Sequence, residues 1–379
     1  MNVKGKCQSA HQVIKDRVHV HSALLILPLR HPKPIQAFPQ PRDEKAATRL
    51  LDELCHLTAQ SLTPLETSDH FQVIKLLGEG SYGKVMLAVH KKRGTPMALK
   101  FFPRDSTSFL SFLREYNLSL AFCSHPSLTS ALGIAFSTPS HYVFAQQPSL
   151  YGDLFDYIVP EVGLEESCVQ RVTSQLSGAL SHLHSLGFVH RDVKPENVFL
   201  CDRACRWVKL GDFGMVKATG TRVPAVWYSS AYCTPEAEIA RESEEKEIIC
   251  PPVDENGNQG PGEKVQEKKR KRVLVPVEPS TDSWSLGILI YAMLTGTLPW
   301  HETASHNTAY RRYREWSEQE EVEERGVRGP VTRQFSAFTP LACSLFRTLL
   351  HPRPGLRGLP DEVLGYLGGA WLLANERSG

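Results

Sequence analysis

The 379-residue sequence has no long hydrophobic run. Its best candidate, Ala23-Leu24-Leu25-Ile26-Leu27, is closed by Pro28 and Arg30 and falls far short of the roughly 18 apolar residues a membrane span needs. Neither membrane insertion nor a cleaved leader is expected. Charge of one sign is also scarce. Lys and Arg number 43 against 41 Asp and Glu, a formal net charge of +2, so no overall field draws the chain to nucleic acid or to an anionic membrane. Cysteine follows no framework: nine are scattered at positions 7, 55, 123, 168, 201, 205, 233, 250 and 343. An odd number in a chain this long points to reduced thiols and a cytoplasmic or nuclear setting. Cys201 and Cys205 are closest together, yet no second pair completes a zinc site, and they read as ordinary turn or core residues.

The residues that are present suit a soluble globular protein with one large core or two modest ones: 41% hydrophobic and 22% charged residues in 42.4 kDa. Residues 1–44 read as a flexible extension, with prolines at 28, 32, 34, 39 and 41. Leu50, Leu51, Leu54 and Leu57 then recur at helical spacing. The segment 45–67 is therefore expected to hold a short amphipathic helix packed on the small lobe that begins after it, with a partner-binding helix as the alternative. From Phe71 the pattern is antiparallel sheet: a strand to Leu77, a glycine turn, a strand through Val89, a turn at 91–95 and a strand from Met97 to Phe102. After Asp153 the texture becomes helical. Residues 241–275 break it, with Glu242, Glu244, Glu245 and Glu247, a Pro/Gly/Asn-rich stretch, and the run Lys268-Lys269-Arg270-Lys271-Arg272. This reads as an exposed insertion. Its basic run either balances the nearby glutamates or serves nuclear access or an anionic partner; no nucleic acid is expected.

A glycine motif alone says little. Here Gly78, Glu79, Gly80, Ser81, Tyr82 and Gly83 lie between two strands, so backbone amides can close over nucleotide phosphates while Val85 covers a base. Seventeen residues on, Met97-Ala98-Leu99-Lys100 puts a long cation on one face of a strand. Glu115 is the best counter-charge for it. His190-Arg191-Asp192-Val193-Lys194-Pro195-Glu196-Asn197 then supplies a carboxylate able to receive a hydroxyl proton, a cation for a transferring phosphoryl, and a neutral oxygen ligand for magnesium. Asp212-Phe213-Gly214 lies fifteen residues after Asn197 and adds a second metal ligand. Further on, Asp282 is expected to accept backbone N–H groups from the segment around Asp192. Glu236, in Thr234-Pro235-Glu236, awaits an arginine, for which Arg357 is the candidate.

Over about three hundred residues these motifs resemble the eukaryotic protein kinase superfamily. Leu57-Thr58-Ala59-Gln60-Ser61-Leu62, Tyr142-Val143-Phe144-Ala145-Gln146, Gly152-Asp153-Leu154-Phe155-Asp156 and Val208-Lys209-Leu210-Gly211 are most similar to the SH3-binding-domain serine/threonine kinase family. The resemblance implies an α+β bilobal fold over residues 68–370. A small antiparallel-sheet lobe with one main helix would span 68–146 and a larger, mostly helical lobe 150–370, with a tail at 371–379. It implies ATP with Mg2+, or Mn2+ in its place, and protein substrates bearing Ser or Thr acceptors. It assigns Asp192 as catalytic base, Lys194 beside the phosphoryl group, Lys100 paired with Glu115, Asn197 and Asp212 on the metal, and Gly78, Glu79, Gly80, Ser81, Tyr82, Gly83, Val85, Ala98, Lys100 and Phe199 around the nucleotide. Arg191 would clamp an activation-segment phosphate on Thr219, Thr221, Tyr228, Ser229 or Ser230.

The chain also departs from that pattern. Phe199 stands where a smaller aliphatic usually floors the adenine pocket, Gln147 where the hinge usually has Glu, and Ser119 where an aliphatic usually packs one turn beyond Glu115. Pro276-Val277-Glu278-Pro279 is its P-x-x-P near the motifs and reads as a turn opening a helix, so an SH3-domain partner has little to bind. These departures leave a catalytically weak or inactive scaffold as the alternative to a serine/threonine kinase.

Overall fold

The computed structural model describes residues 44–80, 83–224, 232–249, 273–319 and 331–374. Residues 1–43, Ser81 and Tyr82, the acceptor candidates Tyr228, Ser229 and Ser230, and the bulk of the charged insertion with its basic run lie outside them. The chain forms two units. Of the described residues, the smaller comprises those in 55–121 and 130–148, and the larger those in 44–54, 122–129 and from 149 onward.

The smaller unit is a six-stranded sheet formed by β1 (Thr63–Pro64), β2 (Phe71–Gly80), β3 (Gly83–His90), β4 (Pro96–Pro103), β5 (Ala131–Ser137) and β6 (His141–Gln146), in the order β1-β5-β6-β4-β3-β2. All neighbours are antiparallel except the two-residue edge strand β1, which runs parallel to β5. The central β4 is buried along nearly its whole length, and its period of two sorts the residues. Met97, Leu99 and Phe101 join Phe71, Ala88, Phe136, Val143 and Ala145 in one cluster. Ala98, Lys100 and Phe102 alternate with them, toward helix α2 (Phe109–Ala121), where Phe102 meets Phe112 edge to face at 5.5 Å and Tyr116 meets Phe144 at 5.6 Å. At the β2–β3 turn Gly83 has φ +130°, and a Cβ there would sit 1.9 Å from the Phe101 carbonyl oxygen. Only glycine fits.

Helix α1 (Glu44–Ser61) forms where the leucine spacing predicts it, and of the four spaced leucines Leu51 is buried, Leu50 and Leu54 are half-buried and only Leu57 fails to be covered. Ala47, Leu51 and Cys55, four residues apart, are covered, while Leu57 is exposed. The unit boundary falls inside this helix. From Cys55 onward it packs with the smaller unit, as the sequence suggests; Ala47 lies instead against Gly187 of the larger one.

The larger unit is built on helices α3 (Glu166–Ser185), α4 (Pro235–Ile249), α5 (Pro279–Thr295), α6 (Thr308–Gln319) and α7 (Pro340–Leu349). Val169, Val172, Leu176, Ala179, Leu180 and Leu183 give α3 a fully buried stripe, whereas α5 is buried on nearly every side. Gly296 caps α5 at φ +68°, and a Cβ there would meet the Val159 carbonyl oxygen at 2.1 Å. Short strands follow α3: β7 (Phe188–Val189) pairs with β10 (Lys217–Ala218), β8 (Val198–Leu200) with β9 (Val208–Leu210), and β11 (Arg222–Pro224) with β12 (Leu274–Pro276), which lies between α4 and α5. Packing continues past residue 370, where a tail was expected. Trp371 is fully buried, and Glu166 of α3 accepts its N–H and that of Leu372, both at 2.9 Å. None of the helices among the described residues is long and apolar enough to cross a membrane.

Candidate active site

In the smaller unit the sheet register sets Lys100 opposite Val85 on one side and Phe144 on the other. Its ammonium lies 2.5 Å from Glu115 Oε1 and 5.2 Å from the centroid of the Phe102 ring, with both charged side chains almost wholly buried. A buried cation of this kind persists only when paired and hydrogen-bonded. Glu115 is held in place by the helix that carries it, and that helix has a polar seam. Asn117 donates to the Leu113 carbonyl at 2.8 Å and to Cys55 Sγ at 3.8 Å, and accepts from Thr58 Oγ1 at 2.9 Å, so α1 is joined to α2 close to the ion pair. Ser119 is buried too, but its hydroxyl meets no partner among the described residues. Gly78 and Gly80 contrast with Gly83: a Cβ at either would meet nothing within 4 Å. The protein's own packing does not demand glycine there, so these positions form an open cradle whose amides suit phosphate oxygens. Ala98 lies buried in β4, and Gln147 just beyond β6 donates its N–H to Ser130 while its side-chain oxygen is buried without a partner among the described residues.

In the larger unit, the segment after β7 is pinned from below by Asp282 of α5. Asp282 is fully buried and accepts the N–H of His190 and that of Arg191, each at 2.8 Å, with His184 Nε2 also at 2.8 Å. Burial alone would raise its carboxyl pKa. The His184 hydrogen bond, electrostatic attraction from the His184 and His190 rings, and the Arg191 N–H outweigh that and hold it below the ordinary value. The expected backbone acceptor is therefore in place, and His184 is an addition that no local motif signals. The pinned loop presents Asp192, whose Oδ2 lies 2.9 Å from Lys194 Nζ and accepts from Asn197 Nδ2 at 2.8 Å. Asn197 also donates to the Asp192 carbonyl at 2.8 Å, which commits its nitrogen, so its side-chain oxygen is the atom that could serve as a ligand. His190 sits beneath with Nε2 3.1 Å from the Gly211 carbonyl, and its Nδ1 accepts the Asp192 N–H at 3.3 Å, which assigns the tautomer.

Asp212 comes after β9 with left-handed backbone at φ +61°, accepting the Gly214 N–H at 3.4 Å. Phe213 beside it packs edge to face on Phe122 at 5.1 Å and on His190 at 5.9 Å. Among the described residues no group of three or more His, Cys, Asp or Glu could hold a metal by itself. The carboxylate of Asp212 and amide oxygen of Asn197 are hard donors of the kind magnesium takes when phosphate oxygens complete its shell. Phe199 is half-buried in β8, bridged to Asp153, and a Cβ at Gly211 would come within 2.9 Å of its ring. Asp153 itself is committed to structure, accepting the Phe155 N–H at 3.0 Å. Arg191 has φ +69° and donates to the Met215 carbonyl at 3.1 Å. Glu236 meets the arginine that the sequence proposes for it: Arg357 forms two parallel bonds to its carboxylate, at 3.1 and 3.0 Å.

The protein kinase domain family matches residues 71–248 of the chain. Serine/threonine-protein kinase SBK1 of Danio rerio is 39% identical over 324 residues, spanning 86% of this chain and 75% of that protein. SBK2 of Rattus norvegicus is 34% identical over 331 residues, covering 87% and 82% of the two chains, and SBK1 of Mus musculus is 35% identical over 318, covering 84% and 68%. The bilobal fold, the buried Lys100–Glu115 pair and these relatives agree: the chain belongs to the SBK family of serine/threonine-protein kinases and transfers the γ-phosphoryl group of ATP to protein serine and threonine hydroxyls.

Proposed function

We propose a division of labour for that transfer among this chain's residues. Asp192 receives the proton of the acceptor hydroxyl and orients its oxygen, and Lys194 neutralises charge on the phosphoryl group in flight. The observation that carries this reading is the Asp192–Lys194–Asn197 cluster, in which one carboxylate oxygen takes both a lysine and an amide while the backbone beneath is fastened to Asp282. Lys100, held by Glu115, takes phosphate oxygens of ATP. The amides of 78–83 cover those phosphates, and Val85, Ala98 and Phe199 contact the adenine. Asn197 and Asp212 would hold Mg2+, with Mn2+ as a substitute, and the ion would supply positive charge to offset what develops on the phosphates. With little covalent work to do, the side chains act by positioning and electrostatics. We further propose a cytoplasmic enzyme with nuclear access through residues 268–272 and no membrane insertion, for which Pro276-Val277-Glu278-Pro279 gives an SH3-domain partner only weak support.

The test is phosphoryl transfer from Mg-ATP to an arrayed Ser/Thr/Tyr peptide library, with Asp192→Asn and Asp212→Ala alongside. Transfer to Ser or Thr should fall at least a thousandfold in either variant while circular dichroism is unchanged. Nucleotide binding by the wild type without any transfer would return the scaffold reading.

A further inference from the structure

Helix α2 is held on two sides by interactions of different kinds. Toward the sheet it offers rings: Phe112 lies 5.5 Å from Phe102 and 5.1 Å from Tyr142, and Tyr116 lies 5.6 Å from Phe144. Apolar burial is non-directional, so it sets how close the helix lies rather than where along its axis it stops. The other side carries Asn117, two residues past Glu115 and only 2% exposed. Its Nδ2 is taken up by the Leu113 carbonyl of its own helix and by Cys55 Sγ, which turns Oδ1 toward α1, where the Thr58 hydroxyl donates to it at 2.9 Å. The end of α1 is in turn fastened to the sheet. Ser61 Oγ donates to the Thr58 carbonyl at 3.1 Å, and β1 follows at once, pairing Thr63 with Phe136 and Pro64 with Ser137 of β5. Leu65 then donates its N–H to the Ser137 carbonyl at 2.9 Å. A closed circuit results within the smaller unit: sheet edge to β1, β1 to α1, Thr58 to Asn117, and Glu115 to Lys100 back in the sheet.

We propose that Thr58 is a positioning residue for phosphoryl transfer: through Asn117 it sets the place of α2 at which Glu115 meets Lys100, so the last two turns of α1 are a built-in support of the ATP site. The proposal rests on the reading that Lys100, held by Glu115, takes phosphate oxygens of ATP. The pair it serves is short-ranged. Ammonium and carboxylate touch at 2.5 Å with both side chains almost wholly buried, so a slide of α2 by about 1 Å breaks the bond and strands two charges. Asn117 Oδ1 is the point where that slide is resisted by a directional contact from outside the helix, because a buried amide oxygen that loses its donor bears its whole desolvation cost. Ser119, one turn past Glu115, adds no such hold, since its buried hydroxyl meets no partner among the described residues. A residue that only stabilised the fold would leave the kinetics of folded molecules unchanged, whereas a positioning residue alters them.

The experiment measures kcat/KM for Mg-ATP with the full chain and saturating Ser/Thr peptide, at a temperature where circular dichroism shows every variant folded. Thr58→Val keeps the side chain's shape without its donor and should lower kcat/KM about five- to tenfold. Thr58→Ser keeps the hydroxyl and should stay within about twofold of wild type. In the Glu115→Gln background the carboxylate is gone, so Thr58→Val should cost less than about twofold more, both changes acting on one pair. Valine at wild-type efficiency, serine as impaired as valine, or two losses that multiply would each overturn the proposal. Glu115→Gln at wild-type efficiency would instead overturn the role of the ion pair itself, and the proposal with it.

Discussion

Replacing Arg357 and Glu236, singly and together, gives a worked test of how the larger unit is held. Arg357 has a fully buried side chain. Besides its two bonds to Glu236 it donates to the carbonyls of His351 and Ser280, each at 3.0 Å, and lies 4.9 Å from the Trp284 ring centroid. Glu236→Ala leaves that guanidinium buried without its counter-charge, a loss of about 3 kcal/mol. Arg357→Ala leaves a carboxylate whose side chain is 28% exposed, so water relieves part of the orphan charge. Two carbonyls, however, lose their donors at about 1 kcal/mol each, and the ring contact about 1 more. Adding the residual charge cost of about 1 kcal/mol gives about 4 kcal/mol. The double variant escapes both orphan charges and should cost about 3 kcal/mol, some 4 less than the sum of the singles. All six tryptophans lie beyond residue 149, so intrinsic emission during urea unfolding reports this unit alone. Additivity of the two single effects within about 0.5 kcal/mol would refute the pairing argument.

Three further outcomes are expected. Glu115→Gln weakens a charge-assisted bond by about 1.5–3 kcal/mol, so kcat/KM for peptide phosphorylation should drop roughly ten- to a hundredfold; an unchanged value would disconnect the pair from catalysis. Asp282 is held below the ordinary 3.8, so its charge contributes stability above that pH and loses it as pH falls through the lower folded value. The stability gap between wild type and Asp282→Asn should therefore be full at pH 6 and narrow below pH 3.8, and a constant gap would contradict the linkage. Ser119→Ala removes a buried hydroxyl without a partner among the described residues and should stabilise the smaller unit by about 1 kcal/mol in thermal unfolding, whereas destabilisation would reveal a bonded hydroxyl.

Much of this was legible because charge and glycine carry strong local constraints. A lysine on a strand buried on both faces needs an acid, and Glu115 was the one at hand; the glutamate of Thr234-Pro235-Glu236 needed a cation and found it 121 residues away. The β-strand bounds came from alternation, because a period of two leaves little freedom once one face is buried. Apolar spacing at α1 placed Leu51 rightly but misled at Leu57, which is exposed, and missed Ala47 and Cys55, which are covered. Small residues carry weak signals even when close packing selects them. The Asn117 seam and the His184–Asp282 contact were hidden for another reason: each joins elements distant in sequence, and one partner in each is a residue type common at surfaces or in cores.

The clasp between Glu166 and the backbone at Trp371 and Leu372 has a consequence for how the chain is made. The partners stand 205 and 206 residues apart. At translation speeds of about 5–20 residues per second, helix α3 leaves the ribosome roughly 10–40 s before the segment that closes over its first turn. Through that interval its acidic end lacks those backbone donors, and the site of the buried Trp371 has no occupant. The larger unit is thus finished only once Trp371 and Leu372 have been made, and nascent chains halted short of Trp371 are the ones expected to recruit chaperones.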